Sequence, residues 1–137
     1  MVSPSAIGRA GLALACLSLV PSARAADDDP KHAVYVRYCG ACHGPNAKGD
    51  GIAGTLMTPK PPDLTVLAKK NQGEFPFMRV MRVIDGRDTV RAHGDPTMPV
   101  WGEVFSADAA GSSLGERIEV QGKLMLLTDY LRSVQEK

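Results

Sequence analysis

Cys39-Gly40-Ala41-Cys42-His43 places two thiols three residues apart and an imidazole directly behind the second. On a helix, residues i and i+3 share a face, so both sulfurs could reach the two vinyl groups of one porphyrin while His43 meets its iron. This is the attachment spacing of a c-type haem, in which two thioethers lock the ring and a neutral imidazole serves as the proximal ligand. Cys-x-x-Cys also occurs in thiol redox proteins and as half of a zinc site. A thioredoxin-like motif, however, follows a strand and opens a helix in a βαβ pattern. Tetrahedral zinc needs two more ligands at comparable spacing, and the chain offers no second cysteine pair. One covalent haem c is therefore the expectation, and haem-free thiol redox chemistry the alternative.

A second axial ligand would decide what such an iron can do. Met98 stands between Pro96 and Pro99, in a stiff loop that costs less entropy to order around a metal than a flexible one. Its thioether is a soft, neutral donor that favours ferrous iron. Met78, Met81 and Met125 fall within helical patterns and read as packing, Met57 lies in a loop near the cysteines, and His93 is a lone loop histidine. On the residues alone, Met98, Met57, His93 and an open position all stand. Trp101, Arg87 and Arg91 could donate hydrogen bonds to a buried haem carboxylate, or be ordinary surface.

The elements that must position these groups read as helices. Asp29 and Pro30 suggest an N-cap and first helical residue, with a helix running through Val34, Tyr35 and Tyr38 toward the cysteines. Residues 44–62 are rich in glycine and proline and should form an irregular loop, justified if it lines one side of a cofactor. Asp63 could cap a short helix across Leu64, Val66 and Leu67, ended by Asn71-Gln72-Gly73. Phe77, Val80, Met81 and Ile84 recur at helical spacing and predict a helix from Glu74 to Ile84, closed by Asp85-Gly86. The stretch from Arg87 to Asp108 should be loop, and Ala109 to Gly115 a flexible connection. Val120, Leu124, Leu127, Leu131 and Val134 predict a last helix over 116–135 whose apolar face meets the first, with Tyr35 and Tyr130 in aromatic contact. No strand-like alternation appears, so the fold class is all-α, three to four helices with long loops. Seven aromatic residues give such a chain little core of its own, and a large apolar ring would supply the missing interior.

Residues 1–25 read as a secretory signal: Arg9 ends the n-region, Ala10 to Val20 are the apolar stretch, and Ala23-Arg24-Ala25 is the cleavage site. Eleven apolar residues fall short of the roughly 20 needed to span a bilayer, so stable membrane insertion is not expected, and an uncleaved anchor is the lesser alternative. Residues 26–137 then form one exported domain with Cys39 and Cys42 as its cysteines and no structural disulfide. Without Arg9 and Arg24, fourteen basic residues face fifteen acidic ones, a charge of about −1. That balance argues against a nucleic-acid partner and against whole-molecule electrostatic steering. The lysines at 48, 60, 69 and 70 and the aspartates at 27–29 could form local charged patches or be ordinary solvated surface.

The order of motifs resembles the class I cytochromes c over nearly all of residues 26–137, and in detail the bacterial periplasmic monohaem members. The matching segments are Cys42-His43-Gly44, Gly49-Asp50-Gly51, Pro61-Pro62-Asp63-Leu64-Thr65, His93-Gly94 and Met98-Pro99-Val100-Trp101-Gly102, with the amphipathic helix last. The resemblance implies a small cytochrome c fold wrapped around the haem, Met98 as distal iron ligand, and a haem-side place for Trp101 and Arg87. It implies an electron carrier rather than an enzyme: a periplasmic monomer cycling Fe(III)/Fe(II) between a redox donor and an acceptor in transient contacts. A haem enzyme or sensor with a labile sixth position, or the cytochrome subunit of a dehydrogenase, is the alternative.

Overall fold

The computed structural model describes residues 29–88, 98–109 and 113–137. The Asp29 carboxylate accepts a hydrogen bond from the Lys31 N–H at 2.9 Å, and Pro30 occupies the first turn, where its missing N–H costs nothing; together they start α1 (Pro30–Tyr38). The helix does not run unbroken into the motif. It stops at Cys39 (φ −116°, ψ −27°), and a separate single turn, α2 (Gly40–His43), carries Cys42 and His43.

A loop with a 3₁₀ turn at Gly54–Leu56 leads to α3 (Leu67–Lys70). Asp63 does not cap this helix. Its carboxylate accepts from both the N–H (2.8 Å) and the hydroxyl (2.6 Å) of Thr65, a local turn that competes with helix and delays its start to Leu67. Next, α4 covers Phe77–Asp85, three residues shorter at its start than the Glu74 expectation, because Pro76 sits at the N-cap and disfavours helical geometry in the residue before it. Gly86, left-handed at φ 83°, closes it as expected.

The expected loop over 87–108 is corrected at its end by α5 (Trp101–Asp108). Gly102 hides this helix from a pattern search, since glycine reads as a breaker; here it is buried, and a side chain would run into Asp85 of α4. The last helix, α6 (Ser113–Ser133), begins earlier than expected and takes up part of the predicted connection. Val120, Leu124, Leu127, Tyr130 and Leu131 form its buried face. That face packs on α1, α4 and α5, and the Tyr35 and Tyr130 rings meet at 4.5 Å. Phe105, Ile84 and Ala47 complete the core. The described residues contain no strand, so the all-α expectation holds.

The chain end ties the loop to this frame. The Gln135 side chain accepts from the Ala68 N–H and donates to the Leu64 carbonyl, both at 2.8 Å, while the Glu136 N–H donates to the Thr65 carbonyl at 2.8 Å. Lys48 pairs with Glu136 and, at 3.8 Å, with Asp63. Among the described residues no helix is long and apolar enough to cross a membrane. The proposed signal segment, residues 1–25, lies outside the described residues.

Candidate functional site

The carbonyls ending α2 would be orphans without partners, and the glycine-rich loop supplies them. The Ala53 N–H donates to the Ala41 carbonyl at 2.9 Å, the Gly51 N–H to Cys42 at 3.2 Å, and the Gly49 N–H to His43 at 2.8 Å. Backbone approaches backbone so closely that a Cβ on Gly51 would strike Ala41 and Cys42, and one on Gly54 would strike the Cys42 carbonyl. From the other side, the Tyr35 hydroxyl donates to the Gly44 carbonyl at 3.1 Å and the Tyr130 hydroxyl to Pro45 at 3.2 Å. The segment that carries Cys39, Cys42 and His43 is thus clamped between a loop and two buried phenols.

Two voids open beside it. Tyr38, Cys39, Cys42, His43, Met57, Pro62, Met98 and Trp101 are among the walls of the smaller, and Cys39, His43, Pro62 and Met98 recur in the larger. The larger is walled further by Tyr35, Leu64, Leu67, Val80, Val83, Ile84 and Leu131, with Lys70 and Arg79 at its edge. The four residues singled out from the sequence, Cys39, Cys42, His43 and Met98, therefore border one apolar region although Met98 lies 55 positions after His43. His43 is buried, with 8% of its surface exposed. The cysteines are not bonded to each other. Burial, and after it the neighbouring Cys42, push the Cys39 thiol up to about 12, the opposite of the lowered value a nucleophilic redox thiol needs.

Trp101 borders the smaller void and forms an aromatic cluster with Tyr38 and Phe105, at 5.6 Å to each ring. Arg87 does not face the site: its guanidinium pairs with Asp85 on the far side of α4, and the side chain is mostly exposed. Met78 and Met125 are exposed rather than packed, whereas Met81 lies against the core. Met57 borders the smaller void together with Met98. His93 and Arg91 lie outside the described residues. Among the described residues, no three His, Cys, Asp or Glu side chains gather into a metal-binding group.

Comparison with protein-family models, with curated proteins and with solved structures finds no match. The chemistry of the site must be judged from its own donor set. That set is two thiols, one buried imidazole and one or two thioethers around apolar walls, and it fits a haem. Thiols can bond covalently to vinyl groups, imidazole and thioether are both haem-iron ligands, and the walls offer the dry surface that a macrocycle needs.

Lys70 was legible only as part of a lysine-rich stretch, and Arg79 escaped the sequence reading. Pro76, Arg79, Val80, Val83 and Ile84 border the larger void at helical spacing, so Arg79 is the single charged member of that face of α4. A cation inside such an apolar series was the available signal.

Proposed function

We propose that this protein is a one-electron carrier built on a single covalent haem c, with Cys39 and Cys42 as attachment residues and His43 and Met98 as axial ligands. The observation that carries the reading is the placing of Met98 on the same two voids as Cys39 and His43. The haem, when bound, supplies a reversible Fe(III)/Fe(II) couple. Cys39 and Cys42 hold it at one edge, and His43 is kept in place by the loop hydrogen bonds to the carbonyls of its turn. Tyr38, Trp101, Phe105 and the buried face of α6 exclude water, and a neutral His/Met pair raises the reduction potential. With both axial positions filled, no site remains for substrate, so the chain acts by transferring electrons and not as an enzyme on its own. Export to the periplasm, a monomeric state, and a donor and an acceptor in brief, small-area contacts belong to the same proposal.

Protein matured in an exporting host is expected to show reduced-minus-oxidised haem c bands and the mass of one attached haem. Colourless material with the mass of polypeptide alone would refute the reading. Met98→Ala should turn a six-coordinate low-spin spectrum into one with an open position and let carbon monoxide bind the ferrous protein rapidly at neutral pH. The presence of Met57 beside Met98 favours one second reading, a different thioether ligand. If Met57→Ala opens the site and Met98→Ala does not, the assignment passes to Met57.

A further inference from the structure

We propose that Lys70 and Arg79 form a carboxylate-binding pair that receives the two propionates of the haem and fixes which way round the ring lies. This rests on the haem reading above. The charged side chains bordering the two voids are all cationic: Lys60 on the smaller, Lys70 and Arg79 on the larger. Lys31, Lys48, Arg82, Arg87, Lys123 and Arg132 each lie against a carboxylate, whereas Arg37, Lys60, Lys69, Arg117 and Lys137 lie against none among the described residues, and of these only Lys60 borders one of the two voids. Lys70 and Arg79 take part in no ion pair with another described residue. Both are exposed residues at the edge of an apolar cavity, so their stems can cover its wall while the charged heads stay at the rim.

Position adds direction to this charge. Cys42 borders only the smaller void, and Lys70 and Arg79 only the larger. In a haem the two propionates leave the ring on the edge opposite the two vinyl groups. A ring tethered through its vinyls at Cys39 and Cys42 would turn its carboxylates away from Cys42, toward the void that carries Lys70 and Arg79 rather than the one that carries Lys60 alone. A guanidinium offers the planar fork that grips a carboxylate at two points, and a lysine beside it adds a second positive charge. Arg87, which the family resemblance would have favoured, is already paired with Asp85.

The test is a redox titration of the haem-loaded protein, followed optically, as a function of pH. Held by two cations, the propionates should stay ionised, and the wild-type midpoint potential should be flat from about pH 5 to about pH 8. In Lys70→Gln, Arg79→Gln the carboxylate pKa should rise by about 1 unit or more. The midpoint should then be lower than wild type and fall with rising pH inside that window. Arg79→Lys in place of Arg79→Gln should restore most of the flat profile. Arg82→Gln on the same helix, whose partner is Asp88, should leave it unchanged. The other titratable groups bordering the voids, Lys60, Tyr35, Tyr38 and His43 with the two cysteines, are untouched in every variant.

A double variant as flat as wild type would overturn the proposal. So would a wild type that already bends in this window, or an Arg82→Gln variant with the same slope. If only the ionic-strength dependence of reduction by ferrocyanide changes, the pair is a surface field for an anionic partner and the proposal falls. Protein without haem would remove the underlying reading, and the proposal with it; haem-containing variants with an unaltered profile remove the proposal alone.

Discussion

Gly51 and Gly54 show how tightly one residue can be determined by its neighbours. Each lies where the loop backbone touches the backbone of α2, with no room for a methyl group and no flexible side chain to yield. Gly51→Ala is expected to destabilise the protein by about 1–3 kcal/mol, the usual cost of overpacking, and to loosen the His43 turn. Urea unfolding measures the first, and faster hydrogen exchange of the Gly49 and Ala53 amides, which donate to the His43 and Ala41 carbonyls, the second. A Gly51→Ala variant as stable as wild type would mean the loop and α2 are not in contact. Along the sequence, Gly49-Asp50-Gly51 read as loop and as one segment of the family resemblance. Which carbonyls those N–H groups satisfy depends on the loop folding back over the cysteines.

Among the elements, α6 carries most of the side-chain core, and its two faces differ sharply. Leu127 is fully buried, whereas Met125, two residues earlier, is 59% exposed. Leu127→Ala should cost about 2–5 kcal/mol and Met125→Ala less than about 0.5 kcal/mol, read as shifts in urea midpoint at constant slope. Similar costs at both positions would rotate the helix away from its described packing. The period of its apolar residues made this helix legible, along with its contact to α1 through Tyr35 and Tyr130. α5 was illegible because Pro99 and Gly102 punctuate its start, and only the closeness of Asp85 explains the glycine.

For the whole molecule, the described core leaves an apolar region open between α1, α4, α6 and the loops, which a haem would fill. The Cys39→Ser, Cys42→Ser variant should be exported without haem and show lower helicity and a lower Tm by circular dichroism. Equal helicity and stability would mean that the polypeptide core suffices by itself. Acid should act through the contacts that tie the ends together. The hydrogen bond from Lys48 lowers the Glu136 pKa, and the hydrogen bond from Lys31 lowers that of Asp129. A carboxylate with a depressed folded pKa adds stability above its unfolded value, near 4, and loses it as pH falls through the folded value. Both pairs are partly exposed to water, so the effect is small. Urea midpoints should hold at neutral pH and decline below about pH 5. Glu136→Gln should make that decline shallower, and an unchanged decline would leave the Lys48 contact without weight.

Local chemistry was readable along the chain because it depends on neighbours in sequence. The Cys-x-x-Cys-His spacing, the Asp29-Pro30 helix start, the period of α6 and the absence of strand alternation all act over a few residues, and the helices and the all-α class follow from them. Which distant groups share a site was decided by packing. Met98 borders the same voids as the cysteine motif, Arg87 turns to Asp85, and the face of α4 that carries Arg79 becomes a cavity wall because α4, α5 and α6 dock in one arrangement, which spacing along the chain does not encode.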